Sequence, residues 1–456
     1  MPRPDPKAFV LARPLQYTGS MRVYLESLGC RLNYAEMSAL GRQLVAAGHQ
    51  LSASADQADL CVLNSCAVTD EAARKSRQTA RQLAQRNPGA RLVLTGCYAT
   101  LEGSAAGTLP NVSLVVGNPR KEELASLIEA AFGAGGQTRQ GVPSLSPTPP
   151  SRARTRAFVK VQDGCRNRCT FCIVTAARGD ERSRPIPEVV EEVAAFDGEG
   201  CQEVVLTGVH LGAYGRDRGE TLQALLRALL ARTQIPRLRL SSLEPFDLTP
   251  AFFDLWAESD GRLMPHLHLP AQAGSDAVLR RMARLKGVAG FESLVESARV
   301  RIPGLTITTD LIAGFPGERE SDFAETIAFA RRVGFAHLHV FPYSARKGTA
   351  AARFGDQVAA TERRCRSQVL RDLDFELGQA VRRAHVGETR PVLWEHPVAA
   401  PGQRSRPDDL VSWSGLTDNY LRVFAAAPAD VDMHNRITMT SLVAVVGGEL
   451  WGEPVV

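Results

Sequence analysis

Short apolar runs alternate with amphipathic segments in the N-terminal part of the chain. Apolar runs at 22–30, 59–66 and 91–97 each end at a cysteine and predict three β-strands. Met37, Leu40 and Leu44 recur at helical spacing and predict a helix over 34–49, and Thr69-Asp70 resembles the cap of a second helix over 70–86. Strands that alternate with helices favour a parallel sheet with right-handed crossovers, so we expect a Rossmann- or flavodoxin-like α/β domain at 21–133.

The same alternation recurs about six times between residues 157 and 384. Strands are predicted at 158–162, 203–208, 238–242, 266–271, 306–313 and 337–343, with helices between them, for example at 187–196 and 321–333. Six strand–helix units are fewer than the eight of a complete (β/α)8 barrel. The pattern therefore predicts a partial (β/α)6 barrel at 155–385, with its active face at the C-terminal ends of the strands.

Residues 386–456 change to short strands separated by turn signals. Strands are predicted at 392–394, 410–413, 420–424 and 436–440. Some five short strands in a segment of this length are typical of a small OB-like β-barrel, a fold that often binds oligonucleotides. A barrel that only stabilises the chain or forms a dimer is the alternative interpretation.

Two other segments lack the pattern of a folded core. Residues 134–154 are rich in Gly, Pro, Ser and Thr and predict a linker. Residues 1–20 carry Pro4, Asp5, Pro6 and Lys7 where a signal peptide would have its continuous apolar run. We therefore expect a disordered leader there.

Composition narrows the class of protein. The 456-residue chain has a net charge of +5 and no apolar run long enough to span a membrane, and this charge alone does not indicate nucleic-acid binding. Its nine cysteines are an odd number without a dense local framework, which argues against a secreted disulfide-bonded protein and for reduced thiols. We therefore expect a cytoplasmic protein with about three domains and no membrane partner.

One short loop carries the most specific chemistry of the sequence. Cys165, Cys169 and Cys172 follow a C-x₃-C-x₂-C spacing, which brings three thiolates to one point. A zinc site needs a fourth ligand, yet the first histidine downstream is His210. Three thiolates and one vacant position favour a [4Fe–4S] cluster with an open iron over a zinc or disulfide loop.

A second set of cysteines is spread over the N-terminal domain. Cys30, Cys66 and Cys97 each stand at the end of a predicted parallel strand, so they should meet at one edge of the sheet. Three unrelated core cysteines are the alternative. The other three cysteines are interpreted as packing residues: Cys61, inside its strand, and Cys201 and Cys365.

Basic residues gather in the two cysteine-bearing regions. The predicted helix after Cys66 carries five, the last of them Arg86, and a basic surface is expected around the cysteine loop. Phosphate contacts with a nucleic acid would explain both groups, whereas a solvated helix face is the alternative for the helix. The candidate RNA-binding residues are Arg74, Lys75, Arg77 and Arg81 on the helix and Arg166, Arg168, Arg182 and Arg184 around the loop, where Arg178 also lies.

The loop at 165–172, with Phe171 before its third cysteine, resembles the radical S-adenosylmethionine (SAM) superfamily. Together with the stretches 28–30, 64–69 and 95–97, the chain resembles the radical SAM methylthiotransferases. The resemblance implies SAM as a cofactor, a C-terminal TRAM domain, and two [4Fe–4S] clusters. Their ligands would be Cys165, Cys169 and Cys172 for the radical SAM cluster, and Cys30, Cys66 and Cys97 for an auxiliary cluster.

The stretches 208–211, 240–245, 339–344 and 415–420 resemble the MtaB-type branch of that family. That branch methylthiolates N6-threonylcarbamoyladenosine (t6A) at tRNA position 37. The resemblance places five loop residues around SAM, although each alone reads as an ordinary turn residue: Gly208, Ser242, Glu244, Gln272 and Asp310. We assign no catalytic role to His210, His266, His268, His337 or His339. Thr175-Ala176-Ala177 departs from the Pro-Tyr-Ala that the family commonly has there.

The resemblance also implies the reaction and its partners. A radical formed from SAM would activate C2 of the adenine, a carbon that acid–base chemistry does not reach, and the auxiliary cluster would supply the methylthio group. The implied partners are the tRNA anticodon stem-loop, an electron donor such as flavodoxin or ferredoxin, and a sulfur donor. The alternatives are a sister methylthiotransferase acting on isopentenyladenosine or a ribosomal-protein aspartate, and a non-catalytic iron–sulfur or zinc protein that binds RNA.

Overall fold

The computed structural model describes residues 20–132, 155–284, 286–398 and 410–455. The expected leader, except Ser20, and the expected linker at 134–154 lie outside the described residues. The chain divides into two compact units that do not follow chain order. The first comprises residues 20–132, Asp163–Glu181 and Ser344–Ala352; the second comprises residues 155–162, Arg182–Tyr343 and Arg353 onward.

Five parallel strands form the sheet of the first unit, in the order β2-β1-β3-β4-β5. The strands are β1 (Arg22–Ser27), β2 (Gln50–Leu51), β3 (Leu60–Ser65), β4 (Arg91–Gly96) and β5 (Val112–Val116). The helices are α1 (Arg31–Ala46), α2 (Asp70–Arg86), α3 (Cys97–Leu101), α4 (Gly103–Gly107) and α5 (Leu124–Phe132), with 3₁₀ turns at Ala55–Gln57 and Asn118–Glu123. This order is that of flavodoxin-like folds, which confirms the predicted class.

Burial explains why these residues form a central sheet. Strand β3 is buried along its whole length, with Leu63 facing one apolar cluster and Val62 facing another on the opposite side. Alternation across the pleat therefore gives the sheet a helix-covered core on both faces. The strand order reverses between β1 and β3, and ligands of such sheets bind at that switch point.

Six parallel strands of the second unit form two three-stranded sheets, β10-β9-β6 and β11-β12-β13, joined by a parallel bridge between Ser242 and His268. This is the predicted partial (β/α)6 barrel. Its strands are β6 (Arg156–Lys160), β9 (Glu203–Thr207), β10 (Arg237–Leu240), β11 (His266–His268), β12 (Thr306–Ala313) and β13 (His337–Pro342), and β7 (Gln162–Asp163) and β8 (Arg182–Ser183) are two-residue strands.

The helices of this region follow in chain order. Helix α6 (Val174–Arg178) belongs to the first unit. The others are α7 (Ile186–Gly198), α8 (Leu222–Arg232), α9 (Leu255–Glu258), α10 (Asp276–Arg281), α11 (Val288–Arg301), α12 (Glu320–Val333) and α13 (Ala360–Ala384). Short 3₁₀ turns lie at Leu211–Ala213, Pro245–Asp247, Pro250–Asp254 and Ala351–Arg353. Within the described ranges, no helix combines the length and apolar character needed to cross a bilayer.

The chain ends in a closed five-stranded barrel of order β14-β15-β16-β18-β17, which confirms the predicted small barrel. Its strands are β14 (Thr389–Val398), β15 (Leu410–Thr417), β16 (Arg422–Pro428), β17 (Ile437–Val446) and β18 (Glu449–Pro454). Val392, Trp394 and Leu442 fill its interior. Closure removes the exposed strand edges that so small a sheet would otherwise have.

One residue of this small barrel reaches into the partial barrel of the same unit. Tyr420 has a left-handed φ of 73°, and its ring stacks on His266 with centroids 4.5 Å apart. The guanidinium of Arg239 lies 4.7 Å from the ring centroid. Arg239 itself pairs with Glu203, and both side chains are fully buried. These contacts hold the C-terminal barrel to the strands β9–β11.

Two cysteine interpretations are now decided by burial. Cys61 is 1% exposed inside β3, which confirms it as a core residue. The interpretation of Cys365 as a packing residue is wrong, because its side chain is exposed on α13. The amphipathic helix turns that position to its polar face. Cys201 is half-buried against the core of the second unit.

Candidate functional site

The three N-terminal cysteines lie at the same edge of the five-stranded sheet. Cys30 precedes α1 just after β1, Cys66 directly follows β3, and Cys97 is the first residue of α3 after β4. Because the strands are parallel, their C-terminal ends meet at this edge. The cysteines therefore flank the switch point between β1 and β3 and the neighbouring strand.

Several observations show that these thiols lie close together. Burial raises the pKa of Cys66 to about 11, and Cys97 and Cys30 lie near enough to add to that shift. A Cβ built on Gly29 would come within 2.9 Å of the Cys66 sulfur. At Gly96, with φ of 96°, a Cβ would come within 2.3 Å of the Ser65 carbonyl oxygen. The turns that carry the cysteines are thus packed directly on one another.

The three thiols fit a soft-metal centre with an accessible side. Cys66 and Cys97 are 5% and 4% exposed, whereas Cys30 is exposed. All nine cysteines of the chain are free thiols. Three convergent thiolate donors, open on the Cys30 side, suit an iron–sulfur cluster that keeps one iron free for a ligand.

The loop with Cys165, Cys169 and Cys172 has the backbone of a ligand loop. The amide of Asn167 donates to the Cys165 sulfur and that of Val174 donates to the Cys172 sulfur, each at 3.4 Å. The Cys172 amide donates to the Cys169 carbonyl at 3.1 Å, which closes the turn between them. Amide donors to sulfur stabilise thiolates and tune the clusters they bind. This loop therefore also fits a cluster.

The segment Ser344–Ala352 ties the cysteine loop and α2 together within the first unit. The Ala351 amide donates to the Thr170 carbonyl at 2.9 Å, and Arg346 forms an ion pair with Asp70 at the start of α2. Thr69 caps that helix, as predicted, by accepting from the Ala72 amide at 3.1 Å. The N-terminal end of α2 is thereby fixed close behind Cys66.

The candidate RNA-binding residues differ in how available their charges are. Arg74, Lys75 and Arg81 are exposed on α2, whereas Arg77 lies over the Tyr98 ring at 5.7 Å. Arg166, Arg168 and Arg182 are exposed. Arg184 pairs with Glu192 and donates to the Lys160 carbonyl, so its charge is already offset.

The prediction of a basic surface around the cysteine loop is wrong at Arg178. This side chain is 3% exposed and pairs with Glu36 and Asp163, both at 2.9 Å. The sequence pattern did not reveal this buried ion cluster because its members are far apart along the chain: Arg178 and Glu36 are 142 residues apart. The sequence feature that came closest to indicating a buried role was the segment after Cys172. Arg178 there is the arginine that the family commonly has at this position.

Four of the five residues expected around SAM follow strands of the partial barrel, whereas Asp310 lies within β12. Gly208 directly follows β9, where a Cβ would come within 3.0 Å of the Gln162 side-chain oxygen. Ser242 and Glu244 follow β10, and Glu244 pairs with Arg284. Gln272 has a left-handed φ of 72°, and its backbone N–H donates to the Asp310 backbone carbonyl at 2.8 Å.

Histidines on β11 and β13 lie on either side of Asp310 in β12, a grouping that the sequence pattern did not reveal. The potential metal-ligating atoms of His268, Asp310 and His339 all lie within 4.8 Å of one another. The Nδ1 of His268 is 2.9 Å from the Thr308 hydroxyl, and its Nε2 is 3.3 Å from an Asp310 carboxylate oxygen. Strand register places Asp310 beside His339 and His268 beside Thr308, a pairing that local periodicity does not reveal.

Known proteins resemble the chain over most of its length. Residues 22–117 match the family model described as Uncharacterized protein family UPF0004, and residues 159–330 match the Radical SAM superfamily. The threonylcarbamoyladenosine tRNA methylthiotransferase MtaB of Bacillus subtilis (strain 168) is 34% identical over 419 residues, covering 90% of this chain and 91% of that protein. The tRNA-2-methylthio-N(6)-dimethylallyladenosine synthase of Methylobacillus flagellatus is 32% identical over 446 residues, covering 95% and 98%.

A solved structure also shares the fold. The radical S-adenosylmethionine methyltransferase TsrM from Kitasatospora setae, with cobalamin and a [4Fe-4S] cluster bound, superposes with a TM-score of 0.53 at 15% identity. The match covers 70% of this chain and 75% of that one. At so low an identity, the likeness concerns the fold alone.

Proposed function

Because the chain belongs to the radical SAM methylthiotransferase family, we propose that it adds a methylthio group to C2 of t6A at tRNA position 37. The product is 2-methylthio-t6A. The observation that carries the proposal is the presence of two separate three-cysteine sets, both in the first unit. One-cluster radical enzymes need only one such set, whereas methylthio transfer needs a second centre to hold the sulfur.

The cofactors are [4Fe–4S] clusters and SAM. Cys165, Cys169 and Cys172 hold the radical SAM cluster. Cys30, Cys66 and Cys97 hold the auxiliary cluster. When bound, these groups supply the one-electron chemistry that exchanges the C2 hydrogen for a methylthio group.

The residues of the chain position the other reactants. SAM is bound by Gly208, Ser242, Glu244 and Gln272, which follow barrel strands, and by Asp310 within β12, since ligands of such barrels sit at the C-terminal face. The glycine lets the ligand approach the backbone closely.

Exposed basic residues of the first unit bind the tRNA backbone. Arg74, Lys75 and Arg81 on α2, and Arg166 and Arg168 on the cysteine loop, offer charges that the described ion pairs do not offset. They contact the phosphates of the anticodon stem-loop, where a target base leaves its stack at least cost. Arg77 of the first unit and Arg182 and Arg184 of the second contribute less to phosphate binding.

The reaction also needs partners that supply electrons and sulfur. A flavodoxin or ferredoxin reduces the radical SAM cluster, and a separate sulfur donor restores the auxiliary centre after each transfer. Both requirements, and the tRNA substrate, support a location in the cytoplasm. The C-terminal barrel adds an RNA contact of the OB-fold kind.

A defined reaction tests this function. Anaerobically reconstituted protein is incubated with SAM, dithionite and anticodon stem-loops that carry t6A, isopentenyladenosine or unmodified adenosine. Nucleoside mass spectrometry should find the 2-methylthio product only from the t6A stem-loop. Conversion of the isopentenyladenosine stem-loop instead would place the chain in the sister branch, to which the Methylobacillus flagellatus relative belongs.

A further inference from the structure

Four charged side chains form a buried ion cluster between the cysteine-bearing segments of the first unit. Glu36 lies on α1, Lys121 follows β5, and Asp163 and Arg178 stand on either side of the loop that carries Cys165. Lys121 pairs with Glu36 at 2.6 Å, and Arg178 pairs with Glu36 and Asp163 at 2.9 Å. None of these side chains is more than 7% exposed.

Arg178 also holds the turns of two auxiliary cysteines. Its Nη2 donates to the Asn33 side-chain oxygen at 2.6 Å. The Asn33 amide group in turn donates to the Leu28 carbonyl at 2.7 Å and to the Ser65 carbonyl at 3.4 Å. Leu28 precedes Cys30 and Ser65 precedes Cys66. One guanidinium on the segment that follows Cys172 thus reaches both turns through a single side chain.

Asn118 makes a second link to the same segment, on the side of the third auxiliary cysteine. Its amide nitrogen donates to the Ala177 carbonyl at 2.8 Å and lies 3.6 Å from the Cys97 sulfur. Asn118 is 3% exposed. The carbonyl acceptor on α6 fixes which way the amide points, so its N–H groups face the sulfur.

The charges of the ion cluster balance, and both of its cations lie within electrostatic reach of auxiliary cysteines. Burial opposes the charge of Arg178, yet Glu36, Asp163, Cys97 and Cys30 together hold its pKa well above its ordinary value. Burial lowers the pKa of Lys121, and Glu36 and Cys97 oppose that shift. A cluster bound by three thiolates carries net negative charge, so neighbouring cations favour its reduced form.

We propose that Arg178 is a positioning residue that couples the two cysteine sites, holding the radical SAM loop against the auxiliary turns and placing positive charge beside the auxiliary centre. The inference rests on the proposed function, because both sites must serve one nucleotide. Removal of Arg178 should lower the reduction potential of the auxiliary cluster. It should also let SAM be cleaved without transfer of the methylthio group.

The test uses full-length, reconstituted protein and keeps the ion cluster neutral. The double variant Arg178→Gln with Asp163→Asn removes one charge of each sign, and Arg178→Lys keeps the charge without the forked geometry. EPR-monitored titration gives the potential of each cluster without any RNA. With the t6A stem-loop, the ratio of 5′-deoxyadenosine to methylthiolated product should rise about tenfold in the double variant.

Three outcomes decide the proposal. A lower auxiliary potential in the double variant, partly restored in Arg178→Lys, supports it even if the RNA substrate has been misassigned. A wild-type potential together with a wild-type product ratio overturns it. If the double variant binds no iron, Arg178→Lys decides instead: because it lacks the forked geometry that holds Asn33 and Asp163, a wild-type product ratio in that variant overturns the proposal.

Discussion

Gly96 shows how one residue sets the geometry of the auxiliary site. It ends β4 with φ of 96° and ψ of −164°, a conformation open in practice only to glycine. A Cβ there would meet the Ser65 carbonyl oxygen at 2.3 Å and the Asn64 side-chain oxygen at 2.5 Å. The chain needs this turn to bring Cys97 beside Cys66.

Substitution of Gly96 should therefore cost more than backbone strain alone. Gly48 is a matched control, since it has φ of 93° but no atom within 4 Å of a built Cβ. We expect Gly48→Ala to cost about 1 kcal/mol of unfolding free energy and Gly96→Ala about 3 kcal/mol or more. Urea denaturation of the metal-free proteins measures both free energies of unfolding. Equal losses in the two variants would contradict the prediction, because they would show that the neighbours of Gly96 move aside without cost.

Cys61 and Cys365 offer a contrast between a buried and an exposed thiol. Burial, with a smaller effect of Asp56, raises the pKa of Cys61 to about 11 from an ordinary value of 9.0. Only thiolates react with iodoacetamide, so native protein at pH 8 should be alkylated at Cys365 and spared at Cys61. Peptide mass spectrometry measures this, and urea-unfolded protein, labelled at both sites, is the control.

The same shift predicts how stability depends on pH. The folded state keeps the Cys61 proton more tightly than the unfolded state, so this contribution is complete below pH 9 and is lost as pH rises toward 11. The free energy of unfolding of metal-free protein should therefore decline more steeply above pH 9 than that of Cys61→Ala. Identical slopes would contradict the assigned burial effect.

At the scale of elements, every strand that the local pattern predicts is present in the structure. All six barrel strands and α2 were predicted within a few residues, because apolar runs and caps are local signals. Strands β2, β5, β7, β8 and β18 were missed. Three of them, β2, β7 and β8, have only two residues each, and β5 carries no turn motif that marked it. The ion cluster of Glu36, Lys121, Asp163 and Arg178 could not be predicted, since only tertiary contacts join its members.

The two cysteine-bearing elements should bind iron independently. We expect about eight irons per chain after reconstitution, and about half in the variant Cys165→Ala, Cys169→Ala, Cys172→Ala, because the auxiliary site remains. Colorimetric iron and sulfide assays measure this. Cys61→Ala should keep the full content, since its thiol lies in the core. Loss of all iron from the triple variant would contradict two separate sites.

Helix α2 should contribute phosphate contacts through its exposed arginines. Arg74→Gln with Arg81→Gln should weaken tRNA binding and reduce the slope of log affinity against log salt by about 1.5–2, since each phosphate contact releases condensed counterions. Fluorescence anisotropy at several salt concentrations measures this. Arg232→Gln with Arg280→Gln removes the same charge from exposed positions on α8 and α10 and should leave the slope unchanged.

At the scale of the whole molecule, the compact units are not continuous segments of the chain. The Radical SAM family match begins at residue 159, yet Asp163–Glu181 belongs to the same compact unit as the N-terminal sheet. Both cysteine sets thus belong to one unit, and the predicted SAM residues belong to the other. Sequence periodicity could not foresee this, because it describes how a segment folds and not which neighbour it packs against.

The central claim concerns the modified nucleoside itself. Digested tRNA from cells that lack this protein, analysed by nucleoside mass spectrometry, tests it most directly. The account predicts that 2-methylthio-t6A disappears while t6A accumulates, that 2-methylthio-isopentenyladenosine is unchanged, and that the wild-type gene restores the modification while Cys97→Ala does not. A normal content of 2-methylthio-t6A in those cells would contradict it.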